Sequence, residues 1–267
     1  MKYPVLGLLA VTLAACGTSA ATPPEPARTA ALTLCTNAPY DPFEFEQDGR
    51  IVGFDVDLAG LVAERTGRPL KVLNIPFEDI QNGKALREGT CELAAAGLTI
   101  TEERRERVDF SVPYFEATQA FLTRKGSKVS SLDDLDDERV GVQSGTTGVD
   151  YVRGQGLEPV EYDDSMEQLI ALQTDQVDVL VQDRPVIAVW MTKFKLSKEL
   201  KLIASLDTGE QYGMAVRKGD TRLLSTVNQT LAEAREDGSY ERLYRQWFGT
   251  KPPKRDEGTR PEGPGSV

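Results

Sequence analysis

Three residues have groups suited to holding a small molecule: Gly97, Thr99 and Arg104. They follow the short apolar run 93–96, which is predicted to be a central parallel strand packed on both faces. Thr101 is predicted to cap a short helix, which places Arg104 one turn into that helix and near the carboxyl end of the strand. Open α/β sheets bind their ligands at this end of their strands.

The chemistry of these groups points to a particular kind of ligand. A backbone carbonyl at Gly97, where no side chain blocks close approach, would converge with a hydroxyl and a guanidinium. Together they suit a small molecule that carries both an ammonium and a carboxylate. The alternative is that Arg104 pairs with neighbouring glutamates on a solvated helix.

The composition describes an ordinary soluble protein and disfavours several function classes. At 267 residues the chain is long enough for two domains, since roughly 100–200 residues per domain is usual. The formal net charge of −11 disfavours nucleic acid as a partner. The absence of histidine removes the commonest general base and the most frequent transition-metal ligand. We therefore expect no nucleic acid, cofactor or metal, and the sequence weighs against a hydrolase or a zinc enzyme.

The start of the chain is typical of a targeting segment and not of a folded domain. An apolar run too short to span a bilayer ends in LAAC (13–16), which resembles a bacterial lipoprotein cleavage box. We predict a lipoprotein signal peptide over 1–15, lipid attachment at Cys16, and an extracytoplasmic protein anchored to the cell membrane by that lipid. An ordinary secretory peptide is the alternative. A flexible tether is predicted over 16–31 and a disordered tail over 250–267.

The two other cysteines are Cys35 and Cys91, which remain as an even pair once Cys16 is assigned to lipid. In an oxidising compartment they can form a disulfide, and two buried free thiols are the alternative. The sequence leaves both states open.

Alternating strand and helix patterns divide the chain into two α/β halves. The first lobe is predicted over 32–113 and 213–249, and the second over 119–207. The segments 114–118 and 208–212 are predicted to join the two lobes. Both halves place polar residues where their strands end, which is the ligand-binding edge of doubly wound sheets.

Local patterns add detail to each half. In the first lobe one helix is expected over 80–87, and in the second the strand 140–142 runs into the loop 143–148. Backbone amides at the start of the helix after that loop would favour an anionic group. Asp183 lies just beyond the buried strand 177–181, where it either faces a ligand or caps the following helix.

Several dispersed motifs carry a resemblance to a known family. They are GFDVDLA (53–59), AAGLTITEERRERVDFSVPY (95–114), VGVQSGTTG (140–148), Gln182-Asp183, Gln211-Tyr212-Gly213 and YRQWFG (244–249). With these motifs the sequence over about 32–249 is similar to the polar amino-acid-binding proteins of ABC importers, nearest to the glutamine-binding branch. Such membership implies the periplasmic binding protein type 2 fold, with two doubly wound α/β lobes, a two-segment hinge and a ligand held between the lobes.

The resemblance also implies roles for individual residues. Arg104 grips the α-carboxylate bidentately, and amides around Thr99 and Thr147 add donors to it. The Gly97 carbonyl and the Asp183 carboxylate take the α-ammonium. The expected ligand-binding residues are Asn37, Tyr40, Phe77, Gly97, Thr99, Arg104, Gln143, Thr146, Thr147 and Asp183.

The side chain of the ligand is expected to be neutral and polar, with glutamine first and asparagine second. Asn37 and Gln143 should surround it and carry no charge, whereas the glutamine-binding pattern has an acid and a lysine at these two positions. A charged side chain would need a counter-charge, and none is evident among the expected residues. A missing charge could come from the loop 41–46 or from residues 78–79.

The predicted function is that of a monomeric binding protein that passes a free amino acid to the permease subunits of an ABC importer. One alternative is an enzyme on the same fold, such as a cyclohexadienyl or arogenate dehydratase, and the other is a ligand-sensing receptor subunit. A dehydratase needs an acid or base near the reacting carbon, and Asp183 is already assigned to the ammonium. A receptor ectodomain usually has a fused membrane helix and kinase, and the sequence shows neither.

Overall fold

The structure is a computed structural model that describes residues 30–253. The predicted signal peptide, Cys16 and nearly all of the predicted tether lie outside the described residues, as do residues 254–267 of the predicted tail. Among residues 30–253, no helix has both the length and the apolar character needed to span a membrane.

Strands and helices alternate along this part of the chain. The strands are β1 (Leu32–Thr36), β2 (Phe45–Gln47), β3 (Arg50–Val52), β4 (Leu70–Asn74), β5 (Leu93–Ala94), β6 (Val108–Phe110), β7 (Phe115–Glu116), β8 (Gln119–Arg124), β9 (Val140–Gln143), β10 (Val160–Tyr162), β11 (Val179–Asp183), β12 (Leu200–Leu206), β13 (Gln211–Tyr212) and β14 (Ala215–Arg217). The helices are α1 (Phe54–Arg65), α2 (Phe77–Gln81), α3 (Lys84–Glu88), α4 (Glu102–Arg107), α5 (Thr147–Gly154), α6 (Ser165–Gln173), α7 (Arg184–Lys193), α8 (Thr221–Glu236) and α9 (Ser239–Phe248). Two short 3₁₀ helices cover Leu132–Asp134 and Leu196–Lys198.

The first lobe is built on a sheet with the strand order β4-β1-β5-β14-β6. β1 pairs in parallel with β4 and β5, and β14 returns from late in the chain to pair antiparallel with β5 and β6. Leu32, Leu34 and Leu93 of its central strands are fully buried, as expected for a sheet covered on both faces. Helices α1, α8 and α9 contact one another, and α2 and α3 contact strands β1 and β14 of the sheet.

The second lobe repeats this plan on a sheet with the strand order β10-β9-β11-β8-β12. β9 pairs in parallel with β10 and β11, and β8 pairs antiparallel with β11 and β12. Two doubly wound α/β lobes of the same design confirm the predicted fold class.

The chain passes between the lobes twice, and the two passages pair with each other as β7 and β13. Phe115 and Tyr212 of these strands stack with their ring centroids 5.5 Å apart. Phe43 packs edge-on against both rings. Aromatic contacts of this kind stabilise the folded state beyond what their buried area contributes. They therefore stabilise the region where the chain passes between the lobes.

Two elements differ from expectation in the first lobe. The helix expected over 80–87 is two shorter helices, α2 and α3, because Gly83 between them has a positive φ of 71°. A Cβ at Gly83 would lie 2.8 Å from the Val108 side chain, so the break suits glycine. The strand expected over 93–96 ends at Ala94, and the Gly97 amide then bonds to the Asp55 side chain.

In the second lobe the buried strand lies later than expected. It spans Val179–Asp183 and not 177–181, so that Asp183 is its last residue.

A disulfide joins Cys35 at the end of β1 to Cys91 just before β5, with the two Cα atoms 5.7 Å apart. The sequence left this state open. Both cysteines are buried beneath α2 and α3. The cross-link ties two adjacent strands of the sheet whose carboxyl ends lead into the cleft.

Candidate functional site

A cavity lies between the two lobes, at the carboxyl ends of their central strands. Every residue expected to bind ligand lines its wall: Asn37, Tyr40, Phe77, Gly97, Thr99, Arg104, Gln143, Thr146, Thr147 and Asp183. The wall also contains residues that the sequence did not single out for binding, namely Glu44, Ala96, Gln119, Gly148, Val181 and Gln182.

Arg104 supplies a buried positive charge to this wall and is only 5% exposed. As predicted, the Thr101 hydroxyl caps α4 by accepting the Arg104 backbone N–H at 3.1 Å. The guanidinium donates to the Thr99 carbonyl at 2.7 Å and across the cleft to the Gly145 carbonyl at 2.8 Å. The alternative of a solvated ion pair is therefore wrong, because Arg104 is buried and Glu102 and Glu103 of α4 pair with other arginines of that helix.

The start of α5 also lines the cavity, and it comes from the other lobe than Arg104. Thr146 is in the N-cap position but does not cap the helix, because its hydroxyl donates to the Gln143 carbonyl at 2.7 Å. The Thr147 hydroxyl accepts a hydrogen bond from Gln119 at 3.0 Å. Amide groups in the first turn of a helix favour negative charge, so α5 and Arg104 form an anion-favouring end of the cavity.

Asp183 supplies a negative charge at the end of β11. Its carboxylate accepts hydrogen bonds from the hydroxyls of Tyr40, at 2.5 Å, and of Tyr212. Burial raises the pKa of Asp183 from 3.8 to about 6, and the two phenol hydrogen bonds oppose this rise. Although Asp183 precedes α7, its side chain makes no capping hydrogen bond, so the alternative role as a helix cap is excluded.

Gly97 brings its backbone close to Tyr40 in the cavity wall. Its φ is +54°, and a Cβ there would lie 2.8 Å from the Tyr40 ring. Its N–H donates at 2.9 Å to the Asp55 carboxylate, which also accepts the Tyr114 hydroxyl at 2.6 Å. Only glycine combines this backbone conformation with so close an approach.

Neutral amides and an aromatic ring line the rest of the cavity. The Gln143 amide donates to the Asn37 side-chain oxygen across the cleft at 3.1 Å, and Asn37 in turn donates to the Ile75 carbonyl at 2.9 Å. The Phe77 ring lies 5.6 Å from the guanidinium carbon of Arg104, so Phe77 belongs to the same wall.

Three polar residues of the wall were missed by sequence reasoning. The Gln182 side-chain oxygen lies 2.8 Å from the Tyr40 hydroxyl and accepts the Asp183 backbone N–H at 2.7 Å, and the Gln119 amide donates to the Thr147 hydroxyl. Both glutamines could have been identified from their positions in the sequence. Gln119 begins β8 and Gln182 is the second-last residue of β11, and both of these strand termini border the cleft. Glu44 is fully buried between two phenylalanines of the sequence PFEF, and an acid in such an apolar run is the signal that could have identified it.

The arrangement suits a small zwitterion. An anion-favouring end, a carboxylate engaged by two phenols, and polar amides beyond them surround one cavity. Opposite charges placed in this way recognise a carboxylate and an ammonium on the same molecule.

Comparisons with a family profile and with individual known proteins agree on the family of this chain. Residues 32–250 match the sequence profile of the bacterial extracellular solute-binding proteins, family 3. The chain is 34% identical to a probable histidine-binding protein of Neisseria gonorrhoeae, over 91% of this chain and 93% of that protein. It is 33% identical to a putative ABC transporter arginine-binding protein of Escherichia coli (strain K12), over 82% of this chain and 92% of that protein.

A solved structure matches the fold as well as the sequence. It is an ancestral arginine-binding protein bound to glutamine, with a TM-score of 0.78 and 38% identity. The match covers 83% of this chain and 99% of that protein.

Proposed function

Because the chain belongs to family 3 of the bacterial extracellular solute-binding proteins, we propose that it captures a free amino acid between its two lobes and delivers it to the permease subunits of an ABC importer. One observation carries the proposal: a single cavity holds the buried guanidinium of Arg104 and the carboxylate of Asp183. An amino acid presents the complementary carboxylate and ammonium one carbon apart. Relatives named as histidine- and arginine-binding proteins support the same ligand class.

Arg104 holds the α-carboxylate of the ligand, together with the first amides of α5. Two guanidinium nitrogens donate to the Thr99 and Gly145 carbonyls, which fixes the plane of the group. A guanidinium has five N–H groups, so others stay available to a ligand oxygen. Asp183 takes the α-ammonium, and the phenols of Tyr40 and Tyr212 hold its carboxylate in place.

Among neutral ligands we propose glutamine first and asparagine second. The Asn37 and Gln143 amides bond to each other across the cleft, and each can exchange that bond for one to a ligand amide. Phe77 and Tyr40 give this part of the wall flat apolar surfaces.

We propose that the segments 114–118 and 208–212 are a hinge, with lobes over 32–113 with 213–249 and over 119–207. The pairing of β7 with β13 within these two segments supports this assignment. Hinge closure around a ligand is a common response of two-lobed binding proteins. We also propose that the protein binds its ligand as a monomer.

We propose binding and not catalysis for this cavity. The relatives compared above are named as binding proteins. The dehydratase alternative needs an acid or base near a reacting carbon, and in the proposed site Asp183 serves the ammonium. Delivery to an importer and sensing by a receptor partner share the same binding step.

Membrane attachment through lipid at Cys16 is a further part of the proposal, and it rests on the cleavage-box sequence at 13–16. Replacing Cys16 with alanine is expected to move the protein from the membrane fraction to the soluble fraction, or to leave it unprocessed, because the acyl chains provide the anchor. Fractionation and gel mobility check this result. A Ser19→Ala variant, three residues beyond Cys16 in the predicted tether, serves as a control for a substitution near the processing site. An alanine variant that stays in the membrane with unchanged mobility would exclude the lipid anchor.

Thermal unfolding of the purified protein against the twenty amino acids tests the binding function. A ligand present at about a hundred times its Kd stabilises the folded state by about 2.7 kcal/mol, so polar amino acids are expected to raise the Tm clearly. Each D-enantiomer is the matched control, because it misplaces one of the α-groups. No rise with any amino acid at millimolar concentration would contradict the proposed function.

A further inference from the structure

Glu44 is a buried acid without a partner on the wall of the ligand cavity. The residue is 0% exposed, and neither of its carboxylate oxygens has a hydrogen-bond partner among residues 30–253. Within the described part of the chain Glu44 forms no ion pair. A buried carboxylate normally has hydrogen bonds or a counter-charge, because leaving it unpaired costs free energy.

The neighbouring acids are each hydrogen-bonded through one carboxylate oxygen. One oxygen of Asp55 accepts the Gly97 N–H and the Tyr114 hydroxyl, while its other oxygen is buried without a partner among residues 30–253. Asp183 accepts two phenol hydroxyls. Glu44 differs from both in lining the cavity with neither oxygen bonded, so its missing partner fits best on the ligand side of the wall.

The backbone fixes Glu44 at this place. Tyr40 and Glu44 bond to each other through their backbone groups, which closes the loop that carries both residues. Gly53 packs against the backbone of the same loop, where a Cβ on Gly53 would lie 2.1 Å from the Phe43 carbonyl oxygen. These backbone contacts fix the position of the loop that carries Glu44.

We propose that Glu44 is the counter-charge for a positively charged ligand side chain, so that the cavity takes a basic amino acid as well as a neutral one and holds the basic one more tightly. This inference rests on the proposed function, in which Arg104 and Asp183 are used by the two α-groups. Glu44 is then the cavity acid that no α-group uses. It supplies, from within the loop 41–46, the second acid that the neutral-ligand prediction lacked.

The surroundings of Glu44 predict how binding depends on pH. Burial, followed by the charges of Asp55 and Asp41, holds the pKa of Glu44 well above its usual value. The other titratable groups that interact with it are the phenols of Tyr40 and Tyr114. The raised pKa favours the protonated form of Glu44 when no ligand is bound, and a cationic side chain favours loss of that proton. A neutral side chain has no such effect.

Calorimetric titration with L-arginine and L-glutamine tests the inference on the wild-type protein and on Glu44→Gln. Wild-type protein is expected to bind arginine at least about tenfold tighter than glutamine. Glu44→Gln keeps the size of the protonated acid and removes the charge, so arginine affinity should fall at least about thirtyfold. Glutamine affinity should change less than about threefold. Glu46→Gln removes the same charge from an exposed position two residues further on, in β2, and should change neither affinity.

Distinct outcomes separate the two levels of proposal. Equal losses for both ligands in a folded Glu44→Gln protein, or wild-type arginine binding no tighter than glutamine binding, would overturn the role of Glu44 alone. Failure of both ligands to bind the wild-type protein would overturn the proposed function.

A second measurement needs no variant. The ratio of arginine to glutamine affinity in wild-type protein should rise with pH, by up to about tenfold per pH unit where Glu44 titrates. Protonation of Asp183 affects the affinity for both ligands equally, because both carry the α-ammonium, so its effect cancels in the ratio. The range from about pH 5 to about pH 9 spans the usual and the raised pKa values of carboxyl groups. An affinity ratio that stays constant over this range would overturn the inference even if Glu44→Gln fails to fold.

Discussion

Replacing Arg104 with alanine is expected to weaken amino-acid binding at least about a hundredfold. The change leaves a ligand carboxylate buried without its partner, which costs about 3–5 kcal/mol, and each 1.4 kcal/mol is about tenfold in affinity. The structure adds a second reason, because Arg104 donates across the cleft to the Gly145 carbonyl and so also links the two lobes. Calorimetric titration with the amino acid that stabilises wild-type protein most measures the loss.

The matched control is Arg105→Ala, one residue further along α4. Arg105 is exposed and lies 3.6 Å from Glu102 as a surface ion pair, which is worth little. Its removal should change affinity less than about twofold. If a folded Arg104→Ala protein loses less than fivefold in affinity (about 1 kcal/mol), Arg104 does not hold the ligand.

The sequence was enough to predict the two-lobed fold, because strand and helix periodicities recur in the same order in both halves. Strand ends also located part of the cavity wall: Gly97 and Arg104 follow a buried strand, Asp183 lies at the end of another, and strand ends of a doubly wound sheet meet at one edge. These placements needed only local pattern and a general rule of topology, whereas the ligand-binding roles of most of the expected residues came from the resemblance to a known family.

Features that depend on the path of a loop were not predictable in the same way. Glu44 was recognised only as part of a loop that could hold an acid, since its burial depends on the Tyr40–Glu44 backbone bridge and on the fit of Gly53 against Phe43. The break at Gly83 was missed because a glycine inside an apolar helical pattern is often tolerated, and only the contact with Val108 shows why it ends the helix here.

The state of Asp183 also required the three-dimensional structure. In sequence, an aspartate before a helix is an ordinary cap. The two phenols that bind its carboxylate come from Tyr40 in the first lobe and from Tyr212 in a segment that passes between the lobes. No local pattern connects residues so distant along the chain, and their hydrogen bonds hold the Asp183 side chain in the cavity wall and away from the helix-capping position.

Asp183→Asn is expected to weaken amino-acid binding by about a hundredfold or more, because the α-ammonium loses its counter-charge in a buried site, at a cost of about 3–5 kcal/mol. Calorimetric titration measures the loss. The exposed Asp137→Asn is the control for removal of an aspartate charge from the same lobe, and it should leave affinity unchanged.

The same substitution should make the ligand-free protein more stable at pH 7, which is opposite in sign to its effect on binding. The pKa of Asp183 is raised from 3.8 to about 6, chiefly by burial. The ionised carboxylate therefore destabilises the folded state at pH 7 by roughly 2–3 kcal/mol, since one pKa unit corresponds to about 1.4 kcal/mol. Asparagine carries no such charge, so thermal unfolding without ligand should give a higher Tm for the variant.

The gain in stability should disappear in acid. As the pH falls through about 6, the folded protein takes up the proton on Asp183, and the penalty shrinks until the unfolded chain is protonated as well, below about pH 4. The wild-type and Asp183→Asn proteins should therefore differ in Tm at pH 7 and converge near pH 4. Over the same window the wild-type affinity for glutamine should fall as the pH drops below about 6, whereas that of the variant should stay flat. A variant that loses both affinity and ligand-free stability at pH 7 would show that Asp183 supports the fold and does not serve as a charge held ready for a ligand.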